Sequence, residues 1–275
     1  MGFIKKLLNK FWGFHKAVVV KNLKYQNIHK GETCLVFGNG ASLKYYNLAA
    51  IKKHHSIGCS YSLADKRMSA LEMTYCITSD SYLFYFFRKD SYSDKIIVNF
   101  IGPILKKIIR KNSNTQFFTS LTNYYSFLHS PKNLSYFYHF GDKHSGSYDL
   151  SGSFSTCAGA LDIMLGLAKY LGFSKVVLLG CDYLGTPKLE GHFYSDSVPA
   201  YGCDDPQYVV RMKEVAGDLD VLVIFPQGIS CTAFESTTFE DYFGAPEIYQ
   251  SNVDIVDVEY LNMMRKAWLK KQIWM

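Results

Sequence analysis

The sequence predicts an α/β fold built on a doubly wound, mostly parallel β-sheet. Short β-rich runs alternate with helix-like segments along the 275 residues, a pattern typical of parallel strands joined by crossover helices. Two runs, 175–180 and 221–225, are apolar throughout, as strands covered on both faces must be. With 48% hydrophobic residues, a chain of this length can bury the core that such a fold needs.

Eight segments carry the strand pattern. They are 33–38, 55–59, 73–78, 95–101, 115–119, 134–140, 175–180 and 221–225. The clearest helix is predicted between Ser151 and Gly172, because a serine-rich turn opens it and a glycine closes it. Residues 185–208 show neither the alternation of a strand nor the spacing of a helix, and they carry many polar and aromatic side chains. We therefore predict a long functional loop, a lid, at 185–208.

Charge and composition divide the chain into three predicted parts. Residues 1–30 form a basic amphipathic segment, 31–250 the α/β domain with its lid, and 251–275 a C-terminal amphipathic helix. Residues 1–30 hold seven lysines and no acid, so removing them from the net charge of +6 leaves −1 for the rest. A basic charge confined to one terminus argues against nucleic acid as a partner of the folded body.

The first residues predict contact with a membrane surface. Apolar side chains recur at helical spacing among lysines there, which is typical of an interfacial helix, although an ordinary packed helix has the same pattern. No run reaches the roughly 18 apolar residues of a membrane-spanning helix. The seven cysteines form no metal-binding pair and indicate neither a zinc site nor a disulfide framework. We expect a cytoplasmic protein, peripheral on the inner membrane; the sequence leaves open whether it is a homo-oligomer.

Glycines and polar residues follow four of the predicted strands. Doubly wound sheets bind ligands beyond the carboxyl ends of their strands, so these residues are candidate site residues. They are Gly38, Asn39, Gly40 and Ser42 after the first strand, Ser60 after the second, Ser79 and Asp80 after the third, and Asp182 and Tyr183 after the 175–180 strand. Ser155 and Thr156 would place a helix N-terminus at the same edge.

This cluster predicts a nucleotide or phosphate site, with the Gly-Asn-Gly turn pressing backbone amides against an anion. A plain strand-to-helix turn would have the same glycines. A dinucleotide fingerprint fits poorly and a Walker loop is absent. Since Asp80 and Asp182 are isolated acids, we expect a metal-independent site in which helix amides, hydroxyls and tyrosines such as Tyr194 stabilise a leaving phosphate.

A general base is also needed if a hydroxyl group is to attack. His192 lies in the lid and is the only histidine after His144, so we predict that it is this base. A lone histidine packed for structural reasons is the ordinary alternative.

Three motifs together resemble a known family. They are the strand running into Gly38-Asn39-Gly40-Ala41-Ser42-Leu43, the turn into the helix at 152–172, and Leu171-Gly172-Phe173 leading to Leu179-Gly180-Cys181-Asp182-Tyr183. The combination resembles the bacterial sialyltransferases of the Campylobacter lipooligosaccharide type. It is also similar to a related Rossmann-like family that includes flagellin glycosylation factors and a pterin diphosphokinase.

The resemblance implies a single Rossmann-like domain with a lid and peripheral membrane attachment. The implied reaction moves sialic acid, another nonulosonate or a Kdo-like sugar from a CMP-activated donor to a bacterial surface glycan, with inversion and without a metal or separate cofactor. Asn39 would meet the nucleotide, Ser155 or Thr156 would lie near the donor, and Tyr194 would contact the leaving phosphate.

The chain departs from the family pattern at two places. Ser60 and Ser79-Asp80 stand where the family has nucleotide-contacting asparagines, and the family histidine lies further downstream than His192. His192 would therefore serve only if the lid is rearranged. Two alternatives remain at this point: diphosphate transfer from ATP with Mg²⁺ held by Asp80 and Asp182, and a non-catalytic nucleotide-binding assembly factor.

Overall fold

A twelve-strand framework runs through the described part of the chain. The computed structural model describes residues 13–78, 80–81, 83–84, 102–127, 129–140, 146–155 and 159–273. In chain order the strands are β1 Thr33–Phe37, β2 His55–Cys59, β3 Tyr75–Thr78, β4 Gln116–Ser120, β5 Leu134–Phe137, β6 His139–Phe140, β7 Phe154–Ser155, β8 Lys175–Leu179, β9 Lys188–Glu190, β10 Ala200–Gly202, β11 Asp220–Phe225 and β12 Glu235–Thr238.

Eight helices lie between and around these strands in the described part of the chain. They are α1 (residues 13–19), α2 Lys66–Ala70, α3 Gly102–Lys111, α4 Ala160–Leu171, α5 Pro206–Ala216, α6 Phe239–Phe243, α7 Asn252–Ile255 and α8 Val258–Ile273. Short 3-10 turns occupy Val20–Tyr25, Ala41–Lys44, Leu48–Ala50, Ser62–Ala64, Leu121–Ser126 and Asp182–Leu184.

The main sheet has eight strands in the order β12-β11-β8-β1-β2-β3-β4-β5, and every neighbouring pair is parallel. The predicted α/β class with a doubly wound, mostly parallel sheet is confirmed. In chain order, the sheet begins with β1 and extends to β5 on one side, and the chain then returns to add β8 on the other side of β1. The strand order therefore reverses between β1 and β8, and at such a position open α/β sheets form a crevice beyond their strand ends.

Both faces of the sheet are covered, which explains the apolar strands. On one face, Leu35 and Phe37 of β1 lie in the same buried cluster as Tyr260 and Leu261 of the C-terminal helix. Cys34, Val36 and the neighbouring β8 residues pack against α4 and α5 on the other face. Alternating side chains of a strand point to opposite faces, so a strand between two helical layers must be apolar at every position.

The long helix begins later than predicted. It starts at Ala160, after Gly159, and ends with Gly172 in the left-handed conformation, as its sequence predicts. Ser151, one of the serines expected to open it, has another partner: its amide and its hydroxyl group both donate to Asp149 Oδ1. Such local hydrogen bonds stabilise a turn in place of a helix start.

Regular structure also enters the predicted lid. β9 and β10 form an antiparallel ribbon, and α5 begins at Pro206 with Asp205 as its N-cap.

The predicted strand at 95–101 lies outside the described residues. The prediction missed β12, which extends the sheet beside β11.

The described terminal residues pack against the body. Asn22 is buried and its side-chain amide donates to the carbonyl oxygens of Tyr136 and Leu150, at 2.8 and 2.9 Å. In α8, Tyr260, Leu261 and Met264 lie in the core. Among the described residues, no helix is both long and apolar enough to cross a bilayer. The division at 30 and 250 stays a prediction, and residues 1–12 lie outside the described chain.

Candidate functional site

A cavity of about 390 Å³ opens at the carboxyl edge of the sheet, at the reversal between β1 and β8. Its floor is formed by Gly38, Asn39 and Gly40 after β1 and by Gly180 and Cys181 after β8. This volume lies within the range of about 300–1,000 Å³ that is usual for small-molecule sites. The cavity is therefore where the fold class and the strand-end residues together predict a ligand.

The two glycines of the Gly-Asn-Gly turn are required by close packing. A Cβ atom on Gly38 would lie 2.2 Å from the carbonyl oxygen of Gly180, and one on Gly40 would lie 2.4 Å from a carboxylate oxygen of Asp182. Their amides are already used: Gly38 donates to Leu179 O and Gly40 to Gly180 O, both at 2.8 Å. The expectation that these glycine amides bind an anion is therefore wrong, because they extend the β1–β8 pairing instead.

Asp182 joins the ends of β1 and β8 beneath the cavity. It is 2% exposed, and Ser42 donates to it twice, from the amide to Oδ2 at 2.8 Å and from the hydroxyl group to Oδ1. Burial raises the pKa of Asp182 to about 6, although the hydrogen bonds from Ser42 oppose this rise. The pair fixes the geometry of the turn, and neither residue lines the cavity.

His192 lines the cavity from the lid. Its segment is held on the turn by a backbone bridge to Gly40, by a hydrogen bond from Phe193 N to Asn39 O at 3.1 Å, and by the fully buried ring of Phe193. His192 Nδ1 lies 3.3 Å from the same carbonyl oxygen. Since a carbonyl oxygen only accepts, Nδ1 carries the proton and Nε2 keeps its lone pair.

Burial lowers the pKa of His192 below its ordinary value of 6.5, and the hydrogen bond to Asn39 opposes the shift more weakly. The imidazole is therefore neutral near pH 7. Tyr194 stacks on this ring at 4.9 Å between centroids, and Tyr61 packs edge-on against Tyr194 at 5.6 Å. Burial raises the pKa of Tyr194, so its hydroxyl group stays protonated. Tyr194 thus supports the histidine from behind and does not itself line the cavity.

Asn39 lines the cavity and is fixed at the end of β2. Its Oδ1 accepts a hydrogen bond from Ser62 Oγ at 3.2 Å, and its Nδ2 lies 3.5 Å from the Cys59 sulfur. Burial raises the pKa of Cys59 to about 12 and raises that of Cys181 as well. Neither cavity thiol is ionised near neutral pH, so a thiolate nucleophile is excluded at these two positions.

Helices form the remaining walls, and sequence reasoning missed most of these residues. Ala160, Leu161 and Met164 come from the first turns of α4, and Tyr208 comes from α5. Tyr183, which was predicted, lines the cavity and packs edge-on against Tyr208 at 6.2 Å. Because an α-helix leaves its first N–H groups without intrahelical partners, the start of α4 brings donors and a positive dipole end to the cavity.

Of the predicted site residues, five line the cavity: Gly38, Asn39, Gly40, Tyr183 and His192. Ser42, Asp182 and Tyr194 support it from beneath or behind. Ser60 borders a smaller crevice beside β3, and Asp80 is exposed and accepts a hydrogen bond from Thr78. Ser155 is buried in β7. Ser79 and Thr156 lie outside the described residues.

No protein-family model matches this chain, and no curated protein matches its sequence. Two solved structures that it resembles are complexes of one enzyme. The sialyltransferase CstII from Campylobacter jejuni, in complex with the substrate analogue cytidine-5′-monophosphate, is 11% identical, with 86% of this chain and 99% of that chain covered and a TM-score of 0.43. The same sialyltransferase with a trisaccharide acceptor and CMP gives 11% identity, the same coverage and a TM-score of 0.42. At this identity the likeness concerns architecture alone.

Proposed function

We propose that this protein is a glycosyltransferase that moves an acidic sugar from a CMP-activated donor to a hydroxyl group of a bacterial surface glycan. The reaction is inverting and independent of metal. The observation that carries the proposal is His192, a neutral imidazole held by its Nδ1–H on Asn39 O at the wall of the strand-end cavity. The motif resemblance of the Gly38–Leu43 turn supplies the donor class.

The cavity walls suit a nucleoside monophosphate group. Leu161, Met164 and Tyr208 give an apolar and aromatic face against which a base can pack. The start of α4 offers backbone donors to a phosphate group on the other side. Burial raises the pKa of Tyr208, so its hydroxyl group stays protonated and can donate to an anion.

His192 acts as the general base. As the acceptor oxygen bonds to the anomeric carbon, its proton passes to His192 Nε2. The bond between that carbon and the phosphate oxygen breaks, and its electron pair leaves with CMP. Attack opposite the leaving group inverts the anomeric centre. The α4 N-terminus and the tyrosine hydroxyl groups stabilise the charge that develops on the phosphate.

The geometry disfavours the alternative, diphosphate transfer from ATP. That reaction needs Mg²⁺ held by carboxylates such as Asp80 and Asp182. Both oxygens of Asp182 are engaged by Ser42, and its carboxyl group is buried. Asp80 is exposed and, among the described residues, is not part of the cavity wall. The non-catalytic alternative, an assembly factor, is tested with the base variant below.

The first experiment measures thermal shifts with CMP, CDP, UDP, GDP and ATP, each with and without Mg²⁺. A ligand at 100 times its dissociation constant stabilises the folded state by about 2.7 kcal/mol, which is easily detected. We expect stabilisation by CMP or CDP without metal. Stabilisation by ATP only with Mg²⁺ would contradict the proposal and favour the diphosphokinase.

The second experiment uses His192→Asn, with the exposed His129→Asn as the matched control. The asparagine variant should bind CMP like the wild type but transfer sugar about 10²–10⁴-fold more slowly. The control should be unaffected. Equal effects of the wild type and His192→Asn on surface glycans in cells would favour the assembly factor.

Membrane attachment is part of the proposal, and exposed residues near the N-terminus support it. Four large apolar side chains are exposed there among exposed lysines: Phe14, Val20, Leu23 and Ile28. Such a surface suits anionic lipid. Leu23→Glu should reduce flotation with anionic vesicles, whereas Val210→Glu, at an exposed position on α5, should not. Equal flotation of both variants would contradict attachment through this surface.

A further inference from the structure

A cluster of metal-ligand side chains lies at the amino edge of the sheet, opposite the cavity. Glu32 immediately precedes β1, His55 is the first residue of β2, and His29 lies in the segment that leads into β1. Within the described residues, these three are the group of histidine, cysteine and acidic side chains close enough to hold one ion. No step of the proposed transfer uses them.

The distances within the cluster fit the coordination of a small cation. Glu32 Oε2 lies 3.3 Å from His29 Nδ1 and 3.2 Å from His55 Nε2, and the three ligand atoms lie within 4.8 Å of one another. In a tetrahedral zinc site with bonds of about 2.0–2.1 Å, neighbouring ligand atoms are about 3.3 Å apart. Two edges of such a tetrahedron are therefore already in place.

The backbone that carries His29 is fixed. The amides of Asn27, His29 and Gly31 donate to the carbonyl oxygens of residues 170, 171 and 172, at 2.9–3.0 Å. The His29 ring stacks on Phe173 at 4.7 Å between centroids, and the His55 ring lies 3.9 Å from it, tilted by 45°. Little ordering would be needed for the cluster to take up an ion, so binding would lose little entropy.

A hydrogen bond with Tyr75 sets the orientation of the His29 ring. Its Nε2 lies 2.7 Å from the hydroxyl oxygen of Tyr75. When Nδ1 binds an ion, Nε2 carries the proton and donates to this oxygen; metal-bound histidines are commonly oriented by such a hydrogen bond, most often to a carboxylate, a backbone carbonyl or water. The side chains of Glu32 and His55 are 49% and 40% exposed, which leaves a path for the ion and for a water molecule at a fourth position.

We propose that His29 Nδ1, Glu32 Oε2 and His55 Nε2 bind one divalent transition-metal ion of the zinc class. The donor set of two imidazoles and one carboxylate suits Zn²⁺ better than Mg²⁺ or Ca²⁺, which prefer oxygen ligands. The ion would tie the segment before β1 and the end of α4 to the start of β2. This site is independent of the proposed transfer reaction.

The test is calorimetric titration of the full chain with Zn²⁺, supported by the visible absorption of bound Co²⁺. We expect one ion per chain. Glu32→Gln and His55→Asn should each weaken Zn²⁺ binding by more than about tenfold, and Tyr75→Phe by about tenfold or more. Two controls should bind like the wild type: His54→Asn removes the exposed neighbouring histidine, and Cys203→Ser removes an exposed thiol.

Thermal unfolding gives a second readout. Zn²⁺ should raise the midpoint of the wild type and of both controls but not that of Glu32→Gln, which replaces a half-exposed side chain and should fold. Wild-type affinity in Glu32→Gln and His55→Asn would overturn the proposal. Loss of Zn²⁺ binding in Cys203→Ser would also overturn the proposal. So would a wild type that binds no Zn²⁺, in which case the short distances from Glu32 to His29 and His55 reflect hydrogen bonds to a shared carboxylate.

Discussion

Replacing Asp182 with asparagine should remove a pH dependence of folding stability. Asp182 is 2% exposed, and burial raises its pKa to about 6, whereas an aspartate in the unfolded chain titrates near 3.8. Between these values the folded protein binds a proton that the unfolded chain does not. The stability that this proton contributes is fully present below about pH 4 and is lost as the pH rises through 6.

The size of the effect follows from the shift of about two pKa units. At about 1.4 kcal/mol per unit the full effect is about 3 kcal/mol, and because the unfolded aspartate is already partly protonated at pH 4, the free energy of unfolding should be about 2–2.5 kcal/mol larger at pH 4 than at pH 7. Asparagine has nearly the same shape. Its oxygen can accept from the Ser42 amide and its nitrogen can donate to the Ser42 hydroxyl oxygen, so both contacts to Ser42 persist in Asp182→Asn.

The assay is urea unfolding of the wild type and Asp182→Asn at several pH values from 4 to 8. Taking the difference between the two proteins cancels the titrations they share. Asp254→Asn is the matched control: hydrogen bonds from Ser251 lower the pKa of this exposed capping carboxyl group below 3.8, so its stability difference should stay nearly constant from pH 4 to 8. A difference for Asp182→Asn that is flat from pH 4 to 8, or that grows with pH, would refute the reasoning.

Three further predictions concern the cavity and its lid. The acidic limb of kcat/KM against pH should have an apparent pKa below 6.5, because transfer needs neutral His192; a limb above 6.5 would contradict its role as base. Gly38→Ala should lower the free energy of unfolding in urea by at least about 1–3 kcal/mol, because its Cβ would lie 2.2 Å from a backbone oxygen. Gly13→Ala is the control and should not be destabilised, because a Cβ there has open space around it. Lys44→Met removes two partly buried hydrogen bonds, from Lys44 Nζ to the carbonyl oxygens of Ser195 and Ser197 in the lid, and should speed limited proteolysis of the lid severalfold. Unchanged cleavage would argue against this anchor.

The central strands could be predicted because a strand buried on both faces is apolar at nearly every position. β2 is observed at the predicted residues 55–59, and β8 and β11 within one residue of their predicted bounds. β12 was missed because Glu235–Thr238 contains no apolar residue. It lies at the edge of the sheet and is held by backbone pairing with β11, which needs no hydrophobic pattern.

The site could be predicted only where it follows strand ends. Asn39, Tyr183 and His192 were found because the fold class places strand ends and their loops at one edge. Met164 and Tyr208 were missed because they lie on helices whose rotation and distance from the sheet are set by tertiary packing. One signal was available: Asp205-Pro206 is an N-cap followed by proline, which marks the start of α5 inside the predicted lid.

The Gly-Asn-Gly turn was predicted at the correct place, but the physical reason given for it, anion binding by the glycine amides, was wrong. The glycines lie at the cavity, but the amides of Gly38 and Gly40 are engaged by β8, so they cannot also donate to a ligand. In the proposed function, the start of α4 and the tyrosine hydroxyl groups provide donors for an anion in this cavity in place of these two amides. The turn contributes instead by allowing β1 and β8 to approach closely, and this approach presents Asn39 O to His192. The strand-end motif thus positions the proposed base, and in the proposed reaction the N-terminus of α4 binds the negative charge.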